Sequence, residues 1–106
     1  MNFRGGMGEL MRQANRVQRK VEERREELNS ETFEASVGND KVTAVANGVP
    51  ELTEIRIDPS LFQEEGLEMA EDLIVAAANA ALAKSREHVD AEIEKITGGL
   101  SIPGLV

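Results

Sequence analysis

Residues 67–97 hold helical spacing for about thirty positions, and that length constrains the fold more than any other feature. Ala70, Leu73, Ile74, Ala77 and Ala81 fall on one face, and Ala78, Leu82, Val89, Ile93 and Ile96 carry an apolar seam to the end. Gly98-Gly99 stops the helix. Such a helix is roughly 45 Å long at 1.5 Å per residue. A compact domain of this size has a radius of gyration of only about 13 Å. A chain of 106 residues cannot enclose it. The helix must project with its seam exposed, and the simplest cover is a second copy of the chain.

A second seam runs near the N-terminus. Met7, Leu10, Ala14, Val17, Val21, Arg24 and Leu28 alternate spacings of three and four, as in a heptad repeat with one Arg in an inward slot. That Arg24 reads as a structural, register-setting residue, either a snorkelling core side chain or an ion-pair partner between helices. On the opposite side of the same helix lie Arg12, Arg16, Arg19 and Lys20. The helix is expected to begin after a flexible, glycine-bearing lead-in at residues 1–8 and to stop at Asn29-Ser30.

Between the two helices the period falls to two. Phe33, Ala35 and Val37 predict one strand, Val42, Ala44 and Ala46 a second, and Leu52 to Ile57 a third. Gly38-Asn39-Asp40 and Asn47-Gly48 with Pro50 mark the turns. The short connections predict an antiparallel meander. Asp58-Pro59-Ser60 then signals a helix start, with Asp58 as its cap. A short helix is expected to end at Gly66, before the long one. The architecture is therefore α+β, in the order α-β-β-β-α, as a single domain over residues 1–106 with an apolar tail at 98–106.

Composition narrows the function. With no Cys, disulfides and thiolate metal sites are excluded. The longest apolar run, Leu73 to Ala78, is far too short to span a bilayer, and the N-terminus lacks an apolar signal region. The expectation is a cytoplasmic protein without membrane contact. Net charge is −8, but it is unevenly spread. Residues 1–30 hold seven Lys/Arg against five Asp/Glu, a balance of +2, whereas residues 31–106 hold five against fifteen, a balance of −10. Local field decides where a polyanion docks, so the first helix admits nucleic acid best, with Lys84, Arg86 and Lys95 on the long helix as auxiliary candidates that stand among acids. The stripe on the first helix is either a phosphate-binding surface or a solvated face.

Several motifs in order carry a resemblance. Gly5-Gly6-Met7-Gly8 leads into Leu10-Met11-Arg12-Gln13-Ala14, followed by Asn47-Gly48 and Ile55-Arg56-Ile57-Asp58-Pro59-Ser60-Leu61. Then come Glu71-Asp72-Leu73-Ile74-Val75-Ala76-Ala77 and the closing Thr97-Gly98-Gly99-Leu100-Ser101-Ile102-Pro103-Gly104-Leu105. The chain resembles the YbaB/EbfC family of bacterial nucleoid-associated DNA-binding proteins over nearly its whole length. The resemblance implies an intertwined homodimer that grips double-stranded DNA between projecting helices in the bacterial nucleoid, with no enzymatic activity. Members often carry basic residues around the third strand. Here Glu51, Thr53 and Glu54 stand there with only Arg56 basic, which moves the expected contact to the first helix.

The candidate DNA-binding residues are thus Arg4, Arg12, Arg16, Arg19 and Lys20, with no cofactor or metal. Arg12 and Arg16 read as the freest, because Arg19 and Lys20 have Glu22 and Glu23 within a turn. The absence of Trp and Tyr removes the stacking platforms of single-strand binders and favours duplex phosphates with weak sequence preference. His88, the single histidine, reads as a surface residue. Glu64, Glu65, Glu68, Glu71 and Asp72 lack calcium-loop spacing and read as acids that complement the helix dipole. No nucleophile–base pair is present. The competing reading is a dimeric interaction module acting with recombination or replication proteins.

Overall fold

The computed structural model describes residues 3–98, with side chains from residue 6 onward. The order is α1 (Phe3–Asn29), β1 (Phe33–Val37), β2 (Val42–Ala46), β3 (Leu52–Ile57) and α2 (Ser60–Thr97). The α-β-β-β-α architecture read from the sequence is the one observed. The molecule is a rod of 76 × 19 × 17 Å with a radius of gyration of 20.3 Å. That elongation is what a helix too long for its own domain demands.

The three strands form an antiparallel sheet in the order β1-β2-β3. Phe33 pairs with Ala46, Ala35 with Ala44 and Val37 with Val42, while Val42 faces Ile57 and Ala44 faces Ile55. One sheet face is therefore wholly apolar. Alternation puts Glu34, Ser36, Thr43, Glu54 and Arg56 on the other. The turn between β1 and β2 places Gly38, Asn39 and Asp40 all in the left-handed region, at φ 63°, 56° and 64°. Gly, Asn and Asp are the residues that adopt it at least cost.

The apolar face packs on the first half of α2. Val42, Ala44 and Ala46 meet Leu61, Ala70, Ala77 and Ala81, all buried. Alanines on both surfaces let helix and sheet approach closely, while Leu61, Leu73, Ile74, Ile55 and Ile57 fill the rest of the interface. Asp58 opens the helix as expected. Its carboxylate accepts from the Ser60 N–H at 2.9 Å and from Ser60 Oγ at 2.8 Å, which holds its pKa below the usual carboxylate value. Gly66, at φ 82° and ψ 166°, interrupts the helix where a break is expected. Gly98, at φ 64°, closes it with its N–H on the Glu94 carbonyl.

The second half of α2 packs on the second half of α1. Val21, Leu28, Val89 and Ile93 form the core of this contact, with Val17 and Ile96 against it. Arg24 faces Glu92, and Glu31, just past the helix, lies near His88. The helices are therefore antiparallel. The expected lead-in is different in the structure: Phe3 to Gly8 already belong to α1. A glycine costs an existing helix about 1 kcal/mol, but extending a nucleated helix avoids the much larger cost of starting one. The apolar tail at residues 99–106 lies outside the described residues.

Candidate nucleic-acid interface

Among the described residues α2 ends at Thr97 and its packing on α1 reaches back as far as Val17, so the first part of α1 extends beyond that contact. From Val17 back to Phe3 the overhang is roughly 20 Å at 1.5 Å per residue. Met7, Leu10 and Met11 on this arm are 63%, 65% and 64% exposed. The seam read from the sequence is thus covered within the protomer only over its C-terminal half.

The basic stripe occupies the arm and its base. Arg12, Arg16, Arg19 and Lys20 are all exposed. Arg12 binds Glu9 at 2.9 Å. Among the described residues, Arg16, Arg19 and Lys20 have no carboxylate within 4.0 Å, so Arg19 and Lys20 are not spent on Glu22 and Glu23 as the spacing suggests. The order of charges favours this outcome without dictating it, since Arg24 does pair with Glu27 later in the same helix at 3.0 Å. Acid before base along a helix, as in Glu9 and Arg12, is the favourable arrangement, and base before acid is weaker. Arg4 lies within α1, but its side chain is outside the described residues.

The cations elsewhere are mostly engaged. Lys41 binds Glu64 at 2.9 Å, Lys95 binds Glu92 at 2.5 Å, and Lys84 donates to the Glu34 carbonyl at 2.8 Å. Arg56, the one base on the third strand, is held by Glu34 at 3.1 Å and by Glu54. That clamp leaves the outer sheet face acidic in character. Arg86 on α2 and Arg25 on α1 join the stripe as cations without a carboxylate within 4.0 Å among the described residues. Glu64, Glu65, Glu68, Glu71 and Asp72 sit on the half of α2 that packs on the sheet, at the far end of the rod from the arm. Among the described residues no group of three or more His, Asp or Glu is placed to hold a metal ion. No helix among the described residues is long and apolar enough to cross a membrane.

Three contacts fix the direction in which the arm points. Arg24, the polar residue of the seam, spans the helices through Nη2 to Glu92 Oε1 at 2.6 Å and also binds Glu27 at 3.0 Å. Hydrogen bonds from Lys95 and Arg24 hold the Glu92 carboxyl at a pKa of about 2. His88 is exposed and lies against the Phe33 ring at 5.3 Å. The turn after β2 supplies the other two contacts. Asn47 Oδ1 accepts from the N–H groups of Val49 and Glu51, and its carbonyl accepts from the buried Ser85 hydroxyl at 2.6 Å. Gly48 lies directly under the last turn of α1, where a side chain would collide with the Leu28 carbonyl. The sequence marks Asn47-Gly48 as a turn but not as a hinge block. The buried serine in an otherwise apolar register, Ser85, is the one signal that could have exposed it.

Comparison with known proteins follows the same lines. The model of the YbaB/EbfC DNA-binding family matches residues 3–100. A nucleoid-associated protein of Myxococcus xanthus is 48% identical over 96 residues, covering 91% of both chains. One from Acetivibrio thermocellus is 49% identical over 104 residues, covering 97% of this chain and 92% of its own. The crystal structure of an uncharacterized Helicobacter pylori protein superposes with a TM-score of 0.63 at 19% identity. It covers 74% of this chain and 92% of that one, a likeness of fold.

Proposed function

The chain belongs to the YbaB/EbfC DNA-binding family, and on that premise we propose that it binds double-stranded DNA as a nucleoid-associated protein, through phosphate contacts from the stripe on α1. The observation that carries this reading is the set of exposed cations, Arg16, Arg19 and Lys20, left without carboxylate partners on a helix that projects from an acidic body. A helix selected only for its own stability would pair them or alternate their signs. Phosphate contacts position a protein without reading sequence, so the preference among duplexes is weak.

The active form is a homodimer. Phe62, Leu67, Met69 and Val75 are exposed along the first half of α2, and Met7, Leu10 and Met11 along the arm. An apolar surface of that extent calls for a partner. Two-fold symmetry would double the stripe and set two arms at a fixed separation. Sedimentation equilibrium tests this directly, and a stable monomer at micromolar concentration contradicts it.

The DNA reading is tested by mobility shift of a mixed-sequence duplex at low salt. The double variant Arg16→Glu with Arg19→Glu should lose most of the affinity, and Arg86→Glu on α2 should retain it. Equal binding by the stripe variant and the parent would reduce the stripe to a solvated face and favour the interaction-module reading, with recombination or replication proteins as partners.

A further inference from the structure

We infer that Asn15 reads a base edge, so that α1 lies in the major groove and does more than touch phosphates; this rests on the duplex reading above. From Leu10 to Val21 the helix carries no acid. Arg12, Asn15, Arg16 and Arg19 within it follow the spacing i, i+3, i+4, i+7, which places them on one face. All are exposed. The face is roughly 10 Å long at 1.5 Å per residue, which matches about three base steps of 3.4 Å. An α-helix of about 10–12 Å diameter fits the major groove, about 12 Å wide.

Along the axis Asn15 lies between Arg12 and Arg19, and around the helix it forms the edge of that face next to Arg19. Asn is among the poorer helix formers, because its amide competes for backbone groups. Among the described residues its side chain makes no hydrogen bond that would compensate. Its neighbours are three arginines, whose forked donors suit phosphate and guanine. The amide beside them is the one group on this face with both a donor and an acceptor. That pair matches N6 and N7 of adenine in the major groove. Gln13 and Gln18 fall on the two flanks of the face, toward the phosphate walls. The account predicts one restricted position per arm in an otherwise tolerant site.

The experiment selects bound duplexes from a randomised pool with the parent, Asn15→Ala and Asn15→Gln. The parent should enrich one A·T position per arm by roughly tenfold, in line with a single bidentate contact. Asn15→Ala should lose that enrichment while keeping the parent's salt dependence on mixed-sequence duplex, since phosphate contacts set that slope. Asn15→Gln, which keeps the amide, should retain part of the preference. Bound but unselective duplex with the parent, or an unchanged preference in Asn15→Ala, overturns this inference alone. No bound duplex at low salt overturns the DNA reading and the inference together.

Discussion

Replacing Gly48 with alanine tests how the arm is held. A Cβ at this position would lie 2.0 Å from the Leu28 carbonyl oxygen, 2.7 Å from its carbon and 3.3 Å from the Asn29 nitrogen. Non-bonded heavy atoms settle at about 3.5 Å or more, so the first contact is short by more than about 1 Å. All three opposing atoms are backbone, and no rotamer change relieves them. Either the turn after β2 or the end of α1 must move. Overpacking costs about 1–3 kcal/mol, and this site belongs at the upper end. At about 3 kcal/mol the melting temperature of a chain this size should fall by roughly 15 °C. The geometry adds a second effect. From Leu28 to Phe3 the helix runs about 38 Å, so a 1 Å shift over its first 10 Å would swing the tip by about 4 Å. Thermal unfolding followed by circular dichroism at 222 nm reads the first effect, and DNA affinity at low salt reads the second. A melting temperature within about 2 °C of the parent would refute the close approach of Gly48 to α1 and the anchoring role assigned to it.

Two further outcomes follow from the same joint. Ser85→Ala removes the donor to the Asn47 carbonyl from a fully buried site and should cost about 1–3 kcal/mol, read as a lower urea midpoint at an unchanged slope. Glu92→Gln should destabilise at pH 7, because the paired carboxylate is lost. Since the folded pKa lies near 2 and the ordinary value at 4.5, the contribution is present above about pH 4.5. Parent and variant should therefore converge as the pH falls from 4.5 toward 2, and a constant gap across that window would contradict the pairing.

Much of this was legible in the residues themselves. The three strands, the break at Gly66 and the stop at Gly98 follow from period and from turn chemistry, which are local. Arg24 announced an inter-helix ion pair by standing in an apolar seam. The spacing starts α1 after residue 8 whereas the structure starts it at Phe3, because Gly5, Gly6 and Gly8 oppose helix locally while cooperative extension carries the helix through them. Spacing names Arg12 and Arg16 as the freest cations; among the described residues Arg16 is unpaired, whereas Arg12 is held by Glu9 and Arg19 and Lys20 are not held by Glu22 or Glu23. The joint of Asn47, Gly48 and Ser85 is signalled in the sequence only by Ser85, a polar residue in an otherwise apolar register. It depends on α1 crossing the β2–β3 turn, and no local pattern reports that distance. The stripe itself was visible from the outset, and its projection beyond the end of α2 is what the fold adds to it.

The most direct test of the central claim is the slope of log K against log salt concentration for a mixed-sequence duplex, between about 50 and 200 mM. Four cations on each of two arms predict a slope of about −7, and Arg16→Gln, which removes one contact per arm, should reduce its magnitude by about 2. A slope near zero, or one that Arg16→Gln leaves unchanged, would contradict the claim that the α1 stripe engages DNA phosphates.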